Sequence, residues 1–268
     1  MAEKAILFDL ARCMGCRGCQ VACKQWNDLP GEKTEFFGGP GYQNPKDLSP
    51  MTYTLVKFYE EYKDHKMIWA FRKHQCMHCT DPACVSVCPV TPKAMTLDKA
   101  TGAVYVNRER CIGCGACAEY CPFGIPRIDE KAEKSTKCTF CIDRITEGME
   151  PACVKTCPND ALVFGDREEM VKLAKKRAEE LTKQGKIPYI YGLNELKGEH
   201  KIYLLPEGLQ FYDDMPRNPK VAEDIGMLHN LLKPYSAATL TAAAVGLAIG
   251  YLKTVRQREV EEKEREKV

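Results

Sequence analysis

Sixteen cysteines in 268 residues constrain this chain more than any other feature, and they fall into four groups of four with none left over. The first group, "CMGCRGCQVAC", holds Cys13, Cys16, Cys19 and Cys23 in the spacing C-x2-C-x2-C-x3-C. The second, "CMHCTDPACVSVC", holds Cys76, Cys79, Cys84 and Cys88. The third, "CIGCGACAEYC", holds Cys111, Cys114, Cys117 and Cys121 and repeats the first spacing without insertion. The fourth, "CTFCIDRITEGMEPACVKTC", holds Cys138, Cys141, Cys153 and Cys157. Proline follows the last cysteine of groups two, three and four (Pro89, Pro122, Pro158), whereas Lys24 follows that of the first.

Three chemistries use cysteine at this density. Disulfide frameworks staple small secreted domains, and "MAEKAILFDL" shows neither the apolar run nor the cleavage site of a signal peptide. Structural zinc takes two C-x2-C pairs from separated loops, a pattern that only the fourth group approaches. Iron–sulfur clusters use C-x2-C-x2-C-x3-C-P, in which the fourth cysteine ligates the other cluster of a pair. If a helix starts near the third cysteine, the fourth lies one turn, roughly 6 Å, further along and reaches a neighbouring cluster. Sixteen thiols therefore supply four [4Fe–4S] clusters. Groups two and three are neighbours in sequence and should form one ferredoxin-like pair, with groups one and four forming the other. The expected fold is α+β: two ferredoxin-like two-cluster modules with an added C-terminal transmembrane helix.

The order of the cysteines, with "RCMGCRGCQVACKQWNDLP" and "KGEHKIYLLPEG", resembles the four-cluster ferredoxin-type β subunits of molybdenum or tungsten bis-pterin oxidoreductases, formate dehydrogenases most of all. The resemblance covers residue 1 to about residue 252 and is strong only in the cysteine motifs. It implies four ligand sets. Cluster 1 would take Cys13, Cys16, Cys19 and Cys157; cluster 2, Cys76, Cys79, Cys84 and Cys121. Cluster 3 would take Cys88, Cys111, Cys114 and Cys117; cluster 4, Cys23, Cys138, Cys141 and Cys153. It implies further that cluster 1 faces the metal–pterin subunit. Cluster 4 would then lie near the membrane helix and pass electrons to a b-type cytochrome and quinone.

Outside the motifs, "FFGGPGYQNP" reads as a loop, either a docking surface or a lid, and "YTLVKFYEEY" and "HKMIWAFRKH" as strands. "DREEMVKLAKKRAEELTKQG" reads as an outer helix with a capping box of Asp166 and Glu169. Met170, Leu173, Ala174, Ala178 and Leu181 form its apolar stripe, and Gly185 its stop. Residues 235–252, "YSAATLTAAAVGLAIGYL", carry no charge and as a helix span about 27 Å, close to the roughly 30 Å of a bilayer core. Lys233 and Lys253 bracket the segment, with Tyr235 and Tyr251 at interfacial depth. Its strongly apolar residues are few, and Ala238, Ala242, Gly246 and Gly250 make a small-residue stripe for a second helix. The expected domains are thus 1–165 (four clusters), 166–232 (helix and extension), 233–253 (single transmembrane helix) and 254–268 (charged tail). Six Lys or Arg beyond residue 252 orient the tail to the cytoplasm and the cluster domain to the periplasmic side of the cytoplasmic membrane. Without an export signal of its own, the chain would be exported bound to a partner that carries one.

Charge is nearly balanced, with 39 basic and 37 acidic residues, which speaks against nucleic acid as a partner. No phosphate-cradling glycine loop, H-E-x-x-H or G-x-S-x-G motif is present, so no catalytic residue is assigned. Of the histidines, His78 lies between two ligands and is expected to tune a cluster rather than bind one, and His229 is not expected to bind metal. The chain reads as an electron wire between a molybdenum or tungsten subunit and a membrane cytochrome b. The rivals are the same wire serving a hydrogenase or a sulfur-compound or sulfoxide reductase, and a zinc-stabilised scaffold.

Overall fold

The computed structural model describes residues 3–35, 42–63, 65–221 and 233–265; the "FFGGPG" stretch and His229 lie outside them. The chain divides into a compact unit, Met1–Ala222, and a second unit, Glu223–Val268.

The first unit is built on a four-stranded sheet. The strands are β1 (Lys4–Asp9), β8 (Leu162–Asp166), β9 (Tyr189–Tyr191) and β10 (Lys201–Leu205), in the order β8-β1-β10-β9. β1 runs parallel to β10 and antiparallel to β8. Its sequence KAILFD is apolar without alternation because both faces are covered, as in any strand buried on two sides. Ala5 and Leu7 face helix α6 (Arg167–Lys183), packing with Met170, Ala174, Leu181, Ile202 and Leu204. Ile6 and Phe8 face the cysteine-bearing layer, with Phe140, Cys153, Tyr203 and Leu205.

That layer consists of short helices and three separate two-stranded ribbons. The ribbons are β2 (Leu55–Lys63) with β3 (Lys66–His74), β4 (Met95–Asp98) with β5 (Ala103–Val106), and β6 (Arg127–Asp129) with β7 (Lys134–Thr136). The helices are α1 (Gly18–Trp26), α2 (Ala83–Ser86), α3 (Ala116–Glu119), α4 (Ile142–Thr146) and α5 (Ala152–Lys155).

Both strands expected between groups one and two form, as does the outer helix with its apolar stripe and a stop at Gly185, where φ is +81°. The capping box does not form. Asp166 stands at the N-cap, but its carboxylate takes Lys4 Nζ at 2.5 Å and accepts no backbone N–H of the helix. The segment after residue 166, expected to pack on the cluster domain, also contributes strands to its sheet. β10 inserts beside β1, so the segment after residue 166 completes the sheet that carries the first motif.

In the second unit a single helix, α7 (Lys233–Arg265), continues through most of the expected charged tail. Among the described residues no helix is long and apolar enough to cross a membrane, which corrects the expected transmembrane span at 235–252. The stretch is helical, but six Ala, two Gly, two Thr and a Ser dilute its few Leu, Ile and Val residues.

Candidate iron–sulfur sites

Each cysteine group opens with the same backbone device. The residue before the second cysteine is left-handed in all four: Gly15 (φ +67°), His78 (+51°), Gly113 (+67°) and Phe140 (+63°). This conformation turns backbone N–H groups inward, as in anion-binding loops. The Gly15, His78 and Phe140 N–H groups donate to the sulfurs of Cys13, Cys76 and Cys138. Glycine suits Gly15 for a second reason, since a Cβ there would lie 2.9 Å from the Phe71 ring. Arg17 and Gly115, both left-handed, then start α1 and α3, which carry Cys19 and Cys117.

The sixteen cysteines are free thiols. Cys88, Cys111, Cys114 and Cys117 line one small cavity. Cys23, Cys138, Cys141 and Cys153 line another. The other two sets are seen through their electrostatic neighbours: Cys13 has Cys16 and Cys157 within reach, and Cys79 has Cys76, Cys84 and Cys121. Among the described residues no three His, Cys, Asp or Glu side chains converge closely enough for a single ion. Thiols set around a cavity suit a cube that offers each of them its own iron, rather than one tetrahedral zinc. Burial raises the thiols, Cys13 and Cys121 to about 11 and Cys19 and Cys141 to about 12. Iron at each sulfur would supply the charge that makes the thiolate favourable there.

The sets adjoin in a row. Cys19 lies within electrostatic reach of Cys153, Cys76 of Cys138, and Cys84 of Cys117. Cys76 and Cys138 share one hydrophobic cluster with Leu48, Leu55 and Ile125, and Cys84 and Cys117 share another with Met95 and Val104. The order is therefore the Cys13 set, the Cys138 set, the Cys76 set and the Cys111 set. The Cys138 set has neighbours on both sides and so stands inside this row. The two exposed cysteines, Cys16 and Cys114, belong to the two end sets.

His78 is fully buried, and its tautomer is readable. The Val104 N–H donates to Nδ1 at 3.0 Å, so the proton sits on Nε2, which faces Cys138 Sγ at 3.5 Å. Its ring stacks on Phe140 at 4.7 Å, and burial together with Lys137 and Lys201 keeps it neutral. Burial likewise pushes the Glu199 carboxyl, beside Cys79, well above its ordinary range.

Sequence reasoning passed over three lysines. Lys73, Lys137 and Lys201 are all buried within this layer. Lys73 and Lys201 line the cavity of the Cys138 set. Lys137 bonds the Cys138 carbonyl at 3.0 Å and the sulfur of Cys76. For Lys73 and Lys137 the signal lay in position, since "FRKHQC" and "STKC" set a lysine just ahead of a cysteine motif, whereas Lys201 has no cysteine near it in sequence. Nothing in the charge pattern marked those lysines as buried.

Four quartets of thiols on ferredoxin-like modules define an iron–sulfur electron-transfer protein carrying four [4Fe–4S] clusters. Two 4Fe-4S dicluster domain matches, over residues 12–92 and 67–167, agree with that class. The chain is 39% identical to the iron-sulfur subunit of the nitrate-inducible formate dehydrogenase of Escherichia coli, over 98% of this chain and 89% of that one. It is 37% identical to the formate dehydrogenase iron-sulfur subunit of Haemophilus influenzae, over 93% of this chain and 80% of that one. It is also 43% identical to formate dehydrogenase 2 subunit beta (cytochrome c-553) of Nitratidesulfovibrio vulgaris, over 78% of this chain and 96% of that one. The chain belongs to the formate dehydrogenase iron–sulfur subunits, the electron-transfer and not the catalytic component of such complexes.

Proposed function

We propose that this chain relays electrons from a molybdenum or tungsten bis-pterin subunit that oxidises formate to a membrane cytochrome b. The four ligand sets would be Cys13, Cys16, Cys19 and Cys157; Cys23, Cys138, Cys141 and Cys153; Cys76, Cys79, Cys84 and Cys121; and Cys88, Cys111, Cys114 and Cys117, in that order along the row. Each [4Fe–4S] cluster supplies one-electron transfer when bound. The protein's own part is to exclude water, to hold the thiols and to aim N–H groups at sulfur. The observation that carries the reading is the row itself, buried in its middle and exposed at Cys16 and Cys114. Electrons enter at the Cys16 end and leave at the Cys114 end, and membrane attachment comes through the cytochrome partner.

Formate added anaerobically to the complex, purified with its partners, should bleach the broad iron–sulfur absorbance. Failure to bleach, in a preparation that dithionite bleaches and whose catalytic subunit is present, overturns the formate reading. A second reading has the Cys114 end serving a c-type haem protein, as the name of the Nitratidesulfovibrio relative, with its cytochrome c-553, suggests for that protein. Reduction of a quinone analogue, as against a c-type cytochrome, by formate through the purified complex separates the two.

A further inference from the structure

An ammonium buried without a carboxylate costs several kcal/mol unless an anion compensates it. The cysteine layer carries three such groups, and among the described residues none forms an ion pair with Asp or Glu. Lys73 Nζ donates to the Gln75 side chain, Lys137 to the carbonyls of Val104 and Cys138, and Lys201 Nζ stands 3.7 Å over the Phe140 ring. Among the described residues this cost is borne three times in one layer with no acid to relieve it. The sulfurs are the anions that remain.

The three cations are distributed unequally. Lys201 has Cys138, Cys153 and Cys141 within reach, all of one set. Lys73 lies between Cys153, Cys138 and Cys23 of that set and Cys19 of the Cys13 set. Lys137 lies between Cys138 and the Cys76–Cys84 side of the third station. The Cys138 set is thus touched by three buried lysines, the Cys13 and Cys76 sets by one each, and the Cys111 set by none of them; Lys134, which bonds the Cys111 carbonyl at 2.5 Å, is only part-buried and so is screened by solvent.

We infer that Lys73, Lys137 and Lys201 are the counter-ions of the clusters, and that their uneven placement makes the Cys138 station the highest in reduction potential and the Cys111 station the lowest. Reduction adds one electron, taken from the neighbouring station, and moves no proton or ligand, so a fixed cation favours the reduced form by attraction alone. Electrons then collect in the buried middle of the row, away from Cys16 and Cys114, and the last step toward Cys114 runs uphill. The inference rests on the ligand sets proposed above.

The test is a redox titration of the intact complex followed by electron paramagnetic resonance, with Cys141→Ser and Cys114→Ser assigning the signals of the middle and far-end stations. Those assignments test the ligand sets; the potentials of the lysine variants test the lysines. Lys201→Met should lower the reduction equilibrium of the Cys138 station alone by tenfold or more, about 59 mV for one electron. Lys73→Met should lower the Cys13 and Cys138 stations together, and Lys137→Met the Cys76 and Cys138 stations. Lys201→Arg, which keeps the charge, should keep the potential. Unchanged potentials in the three Met variants, or an equal shift of all four stations, overturns the inference. Should Lys201→Met lose its cluster, retention of that cluster by Lys201→Arg supports the charge role, and loss in both variants overturns it.

Discussion

Two small cavities of this protein hold four cysteines each, and their linings differ. Around Cys88, Cys111, Cys114 and Cys117 stand Pro89, Val90, Ala94, Met95 and Val106. Around Cys23, Cys138, Cys141 and Cys153 stand Lys73, Lys201, Asn27 and Phe140. The ligand chemistry is the same, so any difference in behaviour must come from the lining. The apolar cavity ends at an exposed cysteine, whereas the polar one has all four of its cysteines buried. The first is suited to meeting a partner and the second to holding charge out of water.

The harshest way to break this comparison is to remove one ligand from each side. Cys141→Ala should cut the row in its middle and bring formate-driven reduction of any acceptor beyond it to background, with the loss of one cluster's iron. Cys114→Ala should cost the same iron but leave formate able to reduce the remaining three stations. Iron analysis and formate bleaching of the two variants check both outcomes. Full turnover in Cys141→Ala with its cluster absent would break the row.

Next come the walls. Met95, only 2% exposed, closes the apolar cavity, and Met95→Ala should cost about 3 kcal/mol by opening space that nothing fills. Strand β3, which brings Lys73 to the polar cavity, is itself tied down by charge. There the buried Arg72, next to Lys73, donates to Asp214 at 2.5 Å, and Lys57 and Tyr59 donate to the same carboxylate. Burial works against ionisation of Asp214, but Arg72, Lys57 and Tyr59 outweigh it and hold the carboxyl well below the usual range. Asp214→Asn strands Arg72 and should cost roughly 2 kcal/mol, reduced from the value for a fully buried pair because Asp214 is partly exposed. With its folded value below the unfolded one, Asp214 contributes fully above the ordinary carboxylate range, and that contribution fades as pH falls through the folded value. Thermal melts of the anaerobic complex should therefore separate wild type from Asp214→Asn at neutral pH and converge only in strong acid.

Much of this was legible in the residues. Spacing alone announced the four quartets, and a pattern of five apolar residues announced α6 with its buried face. What escaped was whatever depends on contacts distant in sequence. β10 looked like part of an extension, because nothing local says that Lys201–Leu205 will lie parallel to β1. Asp166 matched a cap but is 162 residues from the lysine that takes its carboxylate. The row order of the cysteine sets was invisible for the same reason. Residues 235–252 were read correctly as helix, but an uncharged stretch is not thereby an apolar one. The left-handed turn before each second cysteine is announced by glycine in groups one and three; His78 and Phe140 adopt it without that signal.

The finest way to sharpen the comparison is to remove one hydrogen bond to sulfur. At the apolar cavity, Ser135 Oγ lies 3.2 Å from Cys117 Sγ, and the Ser135 N–H donates to Cys111 Sγ at 3.3 Å. Ser135→Ala deletes only the first of these contacts and leaves a small apolar side chain in an already apolar wall, so the fold should lose about 1 kcal/mol or less. Hydrogen bonds to sulfur raise cluster potentials, so the Cys111 station should fall. The shift should be smaller than that from any of the buried lysines, because a hydroxyl dipole replaces a full charge. The Cys138 station has its own sulfur donor in His78 and no contact with Ser135, so it should not move. If a potential titration of Ser135→Ala shifted both stations alike, the two cavities would not be electrostatically separate, and their linings would not explain any difference between them.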